Sequence, residues 1–255
     1  MIEGHKGIDM SRIKFMNIHI DNLTMQEAIE KSAYLIENTK QSYVVTPNVD
    51  HIIKLQKDSE FHEIYENASL ILTDGQPLIW ISKLYKTPIK EKISGSDYFP
   101  EICKLAAEKG YSMFFFGASE GVADTAAMKL TERFPRLNVV GTYSPKIGFE
   151  NDTEEIDRIV KMINRVSPDI LAVALGAPKQ EKFIYCNKER LNVPLSILIG
   201  ASLDFEAGNV KRCPRWMSRC GLEWFYRFIK EPKRMFKRYF IDDMKIIGLI
   251  WKYRI

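Results

Sequence analysis

The sequence lacks the glycine-rich motifs by which many nucleotide-binding α/β proteins are recognised. Neither a Gly-x-Gly-x-x-Gly fingerprint nor a phosphate-binding loop with its lysine occurs in the 255 residues. The stretch from Asn17 to Thr24, which follows the first apolar run, contains no glycine at all. A dinucleotide-dependent oxidoreductase needs a tight glycine turn at that point, so this class of enzyme is excluded.

Cysteines and long apolar runs are also scarce. The four cysteines form no Cys-x-x-Cys pair and no zinc-like spacing, which is typical of free thiols in a reducing compartment. The first ten residues contain no apolar segment, so no signal peptide is expected. Near the C-terminus the longest apolar run, residues 246–251, is far shorter than the ~20 residues that span a bilayer.

Charge is distributed unevenly along the chain. The segment from Lys211 to Ile255 contains 13 Lys and Arg against 4 Asp and Glu, together with ten aromatic residues, whereas the whole chain is only +4. The preceding residues are therefore net acidic. A basic, aromatic segment suits anionic lipid surfaces and phosphate groups. We predict a core over residues 1–208 and a helical, membrane-associating appendage over residues 209–255.

Apolar runs alternate with helical patterns through most of the chain. Strands are predicted over 14–21, 42–46, 69–73, 111–116, 137–142, 170–175 and 195–199, and helices over 24–37, 49–57, 77–85, 97–109, 120–134, 152–165 and 178–190. The alternation predicts an α/β fold with a mostly parallel, Rossmann-like sheet and helices on both faces. Ligands of such folds bind at the carboxyl ends of the strands.

Candidate functional residues follow four of the predicted strands. They are Thr46 and Asn48, Asp74, Gly117, and the pair Gln180 and Glu181. Each is explained equally well as a helix cap or a tight turn. Each also suits chemistry: Asp74 as a general base, the loop at Gly117 as an anion site at a helix N-terminus, and Gln180 as a hydrogen-bonding partner for a sugar. Their shared position at strand ends predicts that they line one cleft.

With these motifs the chain resembles the TagA/WecG/CpsF family of bacterial glycosyltransferases (glycosyltransferase family 26). The resemblance covers residues 14–240. It rests on the ordered motifs Thr46-Pro-Asn48, Thr73-Asp-Gly75, Ser94-Gly-Ser-Asp97, Phe116-Gly-Ala118, Gly176-Ala-Pro-Lys-Gln-Glu181, Lys211-Arg-Cys-Pro-Arg-Trp216, Gly221-Leu-Glu-Trp224 and Glu231-Pro-Lys-Arg234. So many motifs in one order make the resemblance specific.

The resemblance implies an inverting transfer from a UDP-sugar to undecaprenyl-diphosphate-linked N-acetylglucosamine, on the cytoplasmic face of the bacterial plasma membrane. The best-known member of the family transfers N-acetylmannosamine for wall teichoic acid. Others use N-acetylmannosaminuronic acid or another sugar for capsule and surface polysaccharide. No single residue of this sequence decides the donor sugar, and the sequence leaves open whether the chain forms a homo-oligomer.

The resemblance also implies roles for individual residues. Asp74 corresponds to the proposed catalytic base of the family, and Thr46, Asn48 and Gln180 correspond to its pocket residues. Further substrate contacts are expected at Lys92, Asp97, Gly117, Glu181, Arg227, Arg234 and Arg238. At Lys92 the family usually has arginine, so the charge is kept but the bidentate geometry is lost.

The three arginines share a face if the basic segment is one continuous helix, because they are spaced seven and four residues apart. Pro232 lies between them and would kink or restart that helix. The sequence contains no Asp-x-Asp motif, and the adjacent Asp242 and Asp243 lie outside the predicted core. A reaction without a metal or other cofactor is therefore expected, with the leaving diphosphate stabilised by cations and helix N-termini.

Two other functions fit the basic, aromatic segment. A nucleic-acid-binding module could stack bases on its aromatic rings, but the net acidic core and the polar strand ends argue against a nucleic-acid partner. A non-catalytic lipid-binding scaffold would not depend on Asp74.

Overall fold

A computed structural model describes residues 12–214, 217, 222–237, 239 and 242–253, with the backbone alone for Arg227 and Arg234. The strands are β1 (Arg12–Phe15), β2 (Ile18–Asp21), β3 (Ser42–Val45), β4 (Leu70–Ile71), β5 (Ser112–Gly117), β6 (Asn138–Tyr143), β7 (Ile170–Ala174) and β8 (Leu195–Leu198). Six of them form one sheet, in the order β4-β3-β8-β7-β5-β6. Every neighbouring pair in this sheet is parallel, as the sequence predicts.

The helices surround this sheet. They are α1 (Met25–Asn38), α2 (Val49–Lys54), α3 (Ser59–Glu66), α4 (Gln76–Leu84), α5 (Gly95–Lys109), α6 (Val122–Arg133), α7 (Thr153–Val166), α8 (Lys179–Asn187), α9 (Ser202–Ala207), α10 (Glu223–Lys230), α11 (Pro232–Lys237) and α12 (Lys245–Lys252). Every helix predicted over residues 24–190 is present. The sequence analysis missed α3, which begins where the Asp58 carboxylate accepts a hydrogen bond of 2.9 Å from the Phe61 N–H.

Both faces of the sheet are buried. On β5, Phe114 and Phe116 belong to one hydrophobic core, and Met113 and Phe115 belong to a second core on the opposite face. Successive side chains of a strand point to opposite faces, so a strand covered by helices on both sides is apolar at every position. This confirms the predicted α/β architecture.

The predicted strand over residues 14–21 is wrong. The structure has a hairpin there, in which β1 and β2 pair antiparallel apart from the main sheet, and Met16 at the turn has a φ of 55°. The apolar run continues through the turn because Met16 itself is buried. Asp21 anchors the hairpin, since its carboxylate accepts hydrogen bonds from Arg12 at 2.8 Å and from the Ile71 N–H at 2.7 Å.

The sheet changes direction between β5 and β7. From β5 the chain moves outward to the edge strand β6, whereas from β7 it moves the opposite way to β8. Strands β3, β8 and β7 are neighbours in this sheet, so the loops at their carboxyl ends lie together at the edge where ligands of such folds bind.

The C-terminal helices are interrupted at Pro232, where α11 starts, so the predicted restart of the helix is confirmed. Residues of α12 pack against the core, and the Tyr85 hydroxyl donates a hydrogen bond of 3.1 Å to the Ile250 carbonyl. Of the helices in the described part of the chain, none is long and apolar enough to cross a membrane. The division at residue 208 and the role of residues 209–255 at a membrane stay predictions.

Candidate active site

A cavity of about 250 Å³, here named the inner pocket, lies at the carboxyl edge of the sheet, beyond the ends of β3, β4, β7 and β8. It is lined by Thr46, Asn48, Asp50, His51, Asp74, Gly95, Ser96, Ala177, Gln180, Ile199, Gly200, Ala201, Ser202 and Phe205. These residues follow four different strands. The predicted convergence of Thr46, Asn48, Asp74 and Gln180 on one site is therefore present in the structure.

Asp74 is held by its backbone at the end of β4. Its N–H donates a hydrogen bond of 2.9 Å to the carbonyl of Pro47, and the Ile93 N–H donates one of 2.8 Å to the carbonyl of Thr73. Gly75 then turns the chain into α4 with a φ of 103°, a conformation that favours glycine. The carboxylate is thus presented to the inner pocket on a constrained turn.

The N-terminus of α5 approaches the opposite wall of the pocket. A side chain at Gly95 would place its Cβ 3.3 Å from the Ile199 carbonyl and 3.4 Å from the Thr46 hydroxyl, so glycine permits this close approach. Ser94 caps the helix, because its hydroxyl accepts a hydrogen bond of 3.2 Å from the Asp97 N–H. The positive end of the α5 dipole therefore lies beside the cavity.

Gln180 and Glu181 occupy the first turn of α8, next to the sheet edge. The Gln180 side chain accepts a hydrogen bond of 3.1 Å from the Gly200 N–H and donates one of 3.0 Å to Glu181. Gln180 thereby ties α8 to the turn after β8. Glu181 is buried beneath the pocket, and its Oε1 atom lies 3.7 Å from Nε2 of His51.

Lys92 and Asp97 line a second, larger cavity of about 760 Å³, named the outer cleft, which shares Phe205 with the inner pocket. The Lys92 ammonium lies 3.3 Å from Asp97 and 3.5 Å from Glu223 of α10. Arg212 forms an ion pair with Asp97 and donates a hydrogen bond of 3.3 Å to the Ser96 hydroxyl. These contacts attach the basic segment to the core at the mouth of the site.

The charges of the outer cleft shift one another's protonation. Burial works to raise the pKa of Asp97, but Lys92, the Ser94 hydroxyl and Arg212 together hold it below its ordinary value. Burial likewise works to lower the pKa of Lys92, and the negative charges of Asp97, Glu223 and Asp74 raise it overall. Lys92 is therefore charged at neutral pH and sits in the field of Asp74.

The described lining of the inner pocket contains acidic residues but no Lys or Arg, whereas that of the outer cleft contains both acidic and basic residues. The acidic residues of the inner pocket are Asp50 and Asp74. Asp50 is paired with Lys54 at 2.7 Å. No group of three or more His, Cys, Asp and Glu side chains within the described ranges is placed to hold a metal ion.

Several predicted substrate residues lie elsewhere. Gly117 is the last residue of β5 and lies outside both cavities. Its φ is 114°, and a Cβ at this position would lie 2.6 Å from the carbonyl carbon of Ala174, so the backbone requires glycine here for structural reasons. The side chains of Arg227 and Arg234, and the whole of Arg238, lie outside the described residues. Their roles stay predictions.

Among the site residues that the sequence analysis missed are His51, Arg212 and Glu223. His51 stands three residues after the N-cap Asn48, the position at which a capping box places its second side chain, so its local contact could have been read from the spacing. Arg212 and Glu223 carry no such signal, because they reach the outer cleft only through the tertiary fold.

Comparison of the sequence with known proteins finds relatives over most of the chain. The sequence model of the "Glycosyl transferase WecG/TagA/CpsF family" matches residues 13–255. A relative from Bacillus subtilis (strain 168), named N-acetylglucosaminyldiphosphoundecaprenol N-acetyl-beta-D-mannosaminyltransferase, is 33% identical over 79% of this chain and 76% of its own length. A protein of the same name from Staphylococcus aureus (strain MW2) is 27% identical over 88% of this chain and 87% of its own length.

Proposed function

This chain belongs to the WecG/TagA/CpsF family of glycosyl transferases, and we propose from that premise that it transfers N-acetylmannosamine from UDP to undecaprenyl-diphosphate-linked N-acetylglucosamine. The observation that carries the proposal is the convergence of Asp74, Thr46, Asn48 and Gln180 on one cavity at the carboxyl edge of the sheet. These residues are far apart in sequence, and a structural role as separate helix caps does not require them to meet.

Asp74 is the base in the proposed reaction. Its carboxylate accepts the proton of the acceptor hydroxyl while the hydroxyl oxygen attacks the anomeric carbon of the donor sugar from the face opposite UDP. The bond from the anomeric carbon to the UDP oxygen breaks, and UDP leaves with the electron pair. Attack from the opposite face inverts the anomeric configuration. A positioned base contributes roughly 10²–10⁴-fold to such a step.

The cations proposed to bind a diphosphate group are Lys92 and Arg212 of the outer cleft, whose lining also contains the acidic residues Glu91, Asp97, Glu101, Glu206 and Glu223. Lys92 and Arg212 are close enough to share Asp97 as a partner, and the N-terminus of α5 adds backbone N–H groups beside them. In this arrangement the sugar would occupy the inner pocket, with its diphosphate extending toward the cleft. The proposed reaction uses these fixed cations and dipoles in place of a metal ion.

The inner pocket suits an uncharged N-acetylated sugar better than a uronate. A uronate would bring a carboxylate against Asp50 and Asp74, and no lysine or arginine belongs to the described lining that could compensate it. We therefore choose N-acetylmannosamine over N-acetylmannosaminuronic acid as the donor sugar.

We further propose that the basic segment holds the enzyme on the anionic inner surface of the plasma membrane. Large apolar side chains of its described helices are exposed, among them Trp224, Phe225, Ile247 and Trp251. Lysines flank them on α10, α11 and α12. Exposed aromatic residues mixed with cations are typical of helices that lie in the headgroup region of a bilayer.

A product assay tests the proposed reaction. The purified protein is mixed with a short-chain lipid-diphosphate-N-acetylglucosamine and a panel of UDP-sugars, with and without EDTA, beside the Asp74→Asn variant. We expect transfer from UDP-N-acetylmannosamine that survives EDTA and collapses in the variant.

Each part of the proposal can fail separately. Transfer from the uronate donor alone would overturn the choice of sugar, and loss of activity in EDTA would overturn the metal-independent reaction. Full activity of Asp74→Asn would remove Asp74 as the base. If a folded protein transfers none of the sugars, the proposed acceptor or the reaction itself is wrong, and a measurement of UDP binding separates these two explanations.

A further inference from the structure

Asn48 reaches the inner pocket with only one end of its amide. Its Oδ1 atom accepts a hydrogen bond of 3.3 Å from the His51 N–H as the cap of α2, and the same oxygen lies 2.7 Å from Nδ1 of His51. Two protein contacts thus occupy the oxygen. Asn48 lines the cavity, and the end of its amide left for a ligand is the NH₂ group, a pure donor.

His51 reinforces this orientation through the proton on its ring. The 2.7 Å contact with an amide oxygen requires a proton on Nδ1, because an unprotonated nitrogen would place two lone pairs against each other. The Asn48 N–H also points at this nitrogen, from 3.3 Å, as the second bond of the capping box, and that bond would need a lone pair on Nδ1. The two contacts compete, and the one with the amide oxygen is shorter by 0.6 Å. The backbone N–H of His51 holds the Asn48 oxygen on this side whatever the state of the ring. With the proton on Nδ1, a reversed amide would also place its NH₂ group against Nδ1–H, so the ring adds to the same orientation.

The imidazole is itself held from three sides. Phe61 and Tyr65 of α3 contact it, with ring centroids 6.0 Å and 6.3 Å away. On the remaining side, Nε2 faces the buried Glu181 carboxylate at 3.7 Å, and Glu181 is oriented in turn by Gln180. Helix α3 and the first turn of α8 therefore leave the ring little freedom to turn.

Glu181 places a buried carboxylate on the Nε2 side of the His51 ring. It is 1% exposed, and its Oε2 atom has no hydrogen-bond partner among the described residues. A buried carboxylate is costly unless a proton or a cation compensates it. His51 is a positively chargeable group placed against it, with Nε2 at 3.7 Å from Oε1 of Glu181, which is an electrostatic contact and not a hydrogen bond.

We propose that His51 is a positioning residue for the transfer: its Nδ1–H helps to hold the Asn48 amide so that the NH₂ group donates to an oxygen of the bound donor. The partner is an oxygen acceptor, such as a sugar hydroxyl, an acetamido carbonyl or a phosphate oxygen. His51 acts through Asn48, and Glu181 orients His51. This inference rests on the proposed function for its kinetic consequences, but its geometry is a property of the protein without substrate.

Two substitutions at His51 separate this role from a charge effect. In His51→Asn the side-chain nitrogen lies near the place of Nδ1 and still donates to Asn48. In His51→Gln the nitrogen lies near the place of Nε2 and does not. Both variants keep the backbone N–H of residue 51 that completes the helix cap. We expect the His51→Gln variant to have a kcat/KM about 10- to 100-fold below that of the wild type, the effect of losing one hydrogen bond to a charged or strongly polar partner. The loss in the His51→Asn variant should be several-fold smaller.

A double-mutant cycle then tests whether His51 acts through Asn48. If it does, the variant carrying both Asn48→Ala and His51→Ala is no more than about threefold worse than Asn48→Ala alone. Losses that multiply would mean that His51 acts on the substrate independently, and would overturn the proposal. His62→Ala serves as the matched control, because His62 is also partly buried and hydrogen-bonded, at 2.7 Å to the Asn17 carbonyl, but lies outside the inner pocket.

A nuclear magnetic resonance measurement decides the geometry without any substrate. In protein labelled with ¹⁵N at histidine, we expect Nδ1 of His51 to be protonated at neutral pH, and this signal to change in Asn48→Ala. An unprotonated Nδ1 would overturn the inference even in a fully active enzyme. A protonated Nδ1 in a protein that transfers none of the sugars would leave the orientation of Asn48 standing and refute the proposed function alone.

Discussion

The N–H of Asp74 donates a hydrogen bond of 2.9 Å to the carbonyl oxygen of Pro47. This bond joins the loops that follow two neighbouring strands, β4 and β3. The carboxylate of Asp74 and the side chains of Thr46 and Asn48 are therefore set at fixed positions relative to each other. Precise placement of a base relative to substrate-binding groups is what an effective transfer requires.

Replacing Asp74 tests its role as a base against a simple charge effect. Asp74→Asn keeps the size of the side chain and the backbone bond to Pro47 but cannot accept the proton, so kcat falls by roughly 10²–10⁴-fold. Asp50→Asn is the matched control, since Asp50 lines the same pocket but is paired with Lys54. We expect it to lose less than about tenfold. Steady-state kinetics, together with the melting temperature of each variant, checks this. Equal losses of kcat in the two variants would show that the negative charge of the pocket matters and that Asp74 has no special role as a base.

Gly117 is predicted to be required for folding. In Gly117→Ala the new Cβ would meet the Ala174 backbone, and the residue would be held at a φ of 114°. We expect a loss of more than about 2 kcal/mol in the free energy of unfolding. Gly110→Ala is the control, because Gly110 also has a positive φ, of 78°, but no atom lies within 4 Å of the added Cβ.

Gly110→Ala should lower the free energy of unfolding by about 1 kcal/mol, the effect of holding alanine in the left-handed conformation alone. Denaturant unfolding of both variants measures the difference. Equal losses would show that the close approach of Gly117 to β7 contributes nothing beyond backbone strain.

Asp97 should make stability sensitive to acid. The pKa of Asp97 in the folded protein is held below its ordinary value of 3.8 by Lys92, the Ser94 hydroxyl and Arg212, against the opposing effect of burial. The unfolded chain therefore binds a proton first as the pH falls. The stabilisation is fully present above the ordinary value and is lost as the pH falls through the lower, folded value.

Urea unfolding between pH 6 and pH 2.5 checks this linkage. The wild type should lose more stability over that range than Asp97→Asn, which has no carboxyl group to titrate at this position. The Asn variant keeps the N–H that bonds to Ser94, so the cap of α5 is preserved. Parallel curves for the two proteins would contradict the predicted contribution of Asp97.

Trp251 and Ile247 of α12 are expected to contact lipid. Trp251 is 70% exposed, while Ile246, Leu249 and Ile250 on the same helix pack against the core. Replacing Trp251 and Ile247 with Ser should weaken binding to phosphatidylglycerol vesicles by about tenfold, with no loss of melting temperature. Co-sedimentation measures the binding, which should also fall with salt.

Tyr34→Ser is the control for this experiment. Tyr34 is likewise exposed, but it belongs to α1, which covers the other face of the sheet from α12. We expect its binding to match that of the wild type. Equal weakening in the control, or binding to neutral phosphatidylcholine as strong as to the anionic vesicles, would refute a specific docking role for α12.

The sequence alone determined the fold class and most of the elements. Buried parallel strands are apolar at every position and helices carry their own caps, so both are local signals. The capping box of α1 is an example: Thr24 and Glu27 stand three residues apart in the sequence, and they form its two hydrogen bonds, at 2.7 Å and 3.3 Å. Asp74, Thr46, Asn48 and Gln180 were also found from the sequence, because polar residues after apolar strands are visible without a structure.

Only the tertiary structure decided which of these residues share a cavity. Lys92 and Asp97 line the outer cleft, and Gly117 lies outside both cavities, where its backbone packs closely against β7. The hairpin of β1 and β2 was read as one strand, since burial of Met16 hides the turn.

The contacts of His51 with Glu181 and of Arg212 with Asp97 likewise depend on the tertiary fold. They join residues more than a hundred positions apart, and the order of the strands sets which distant loops meet. Local sequence patterns specify elements and their caps. The pairing of charges across the site is specified by the packing of those elements on the sheet.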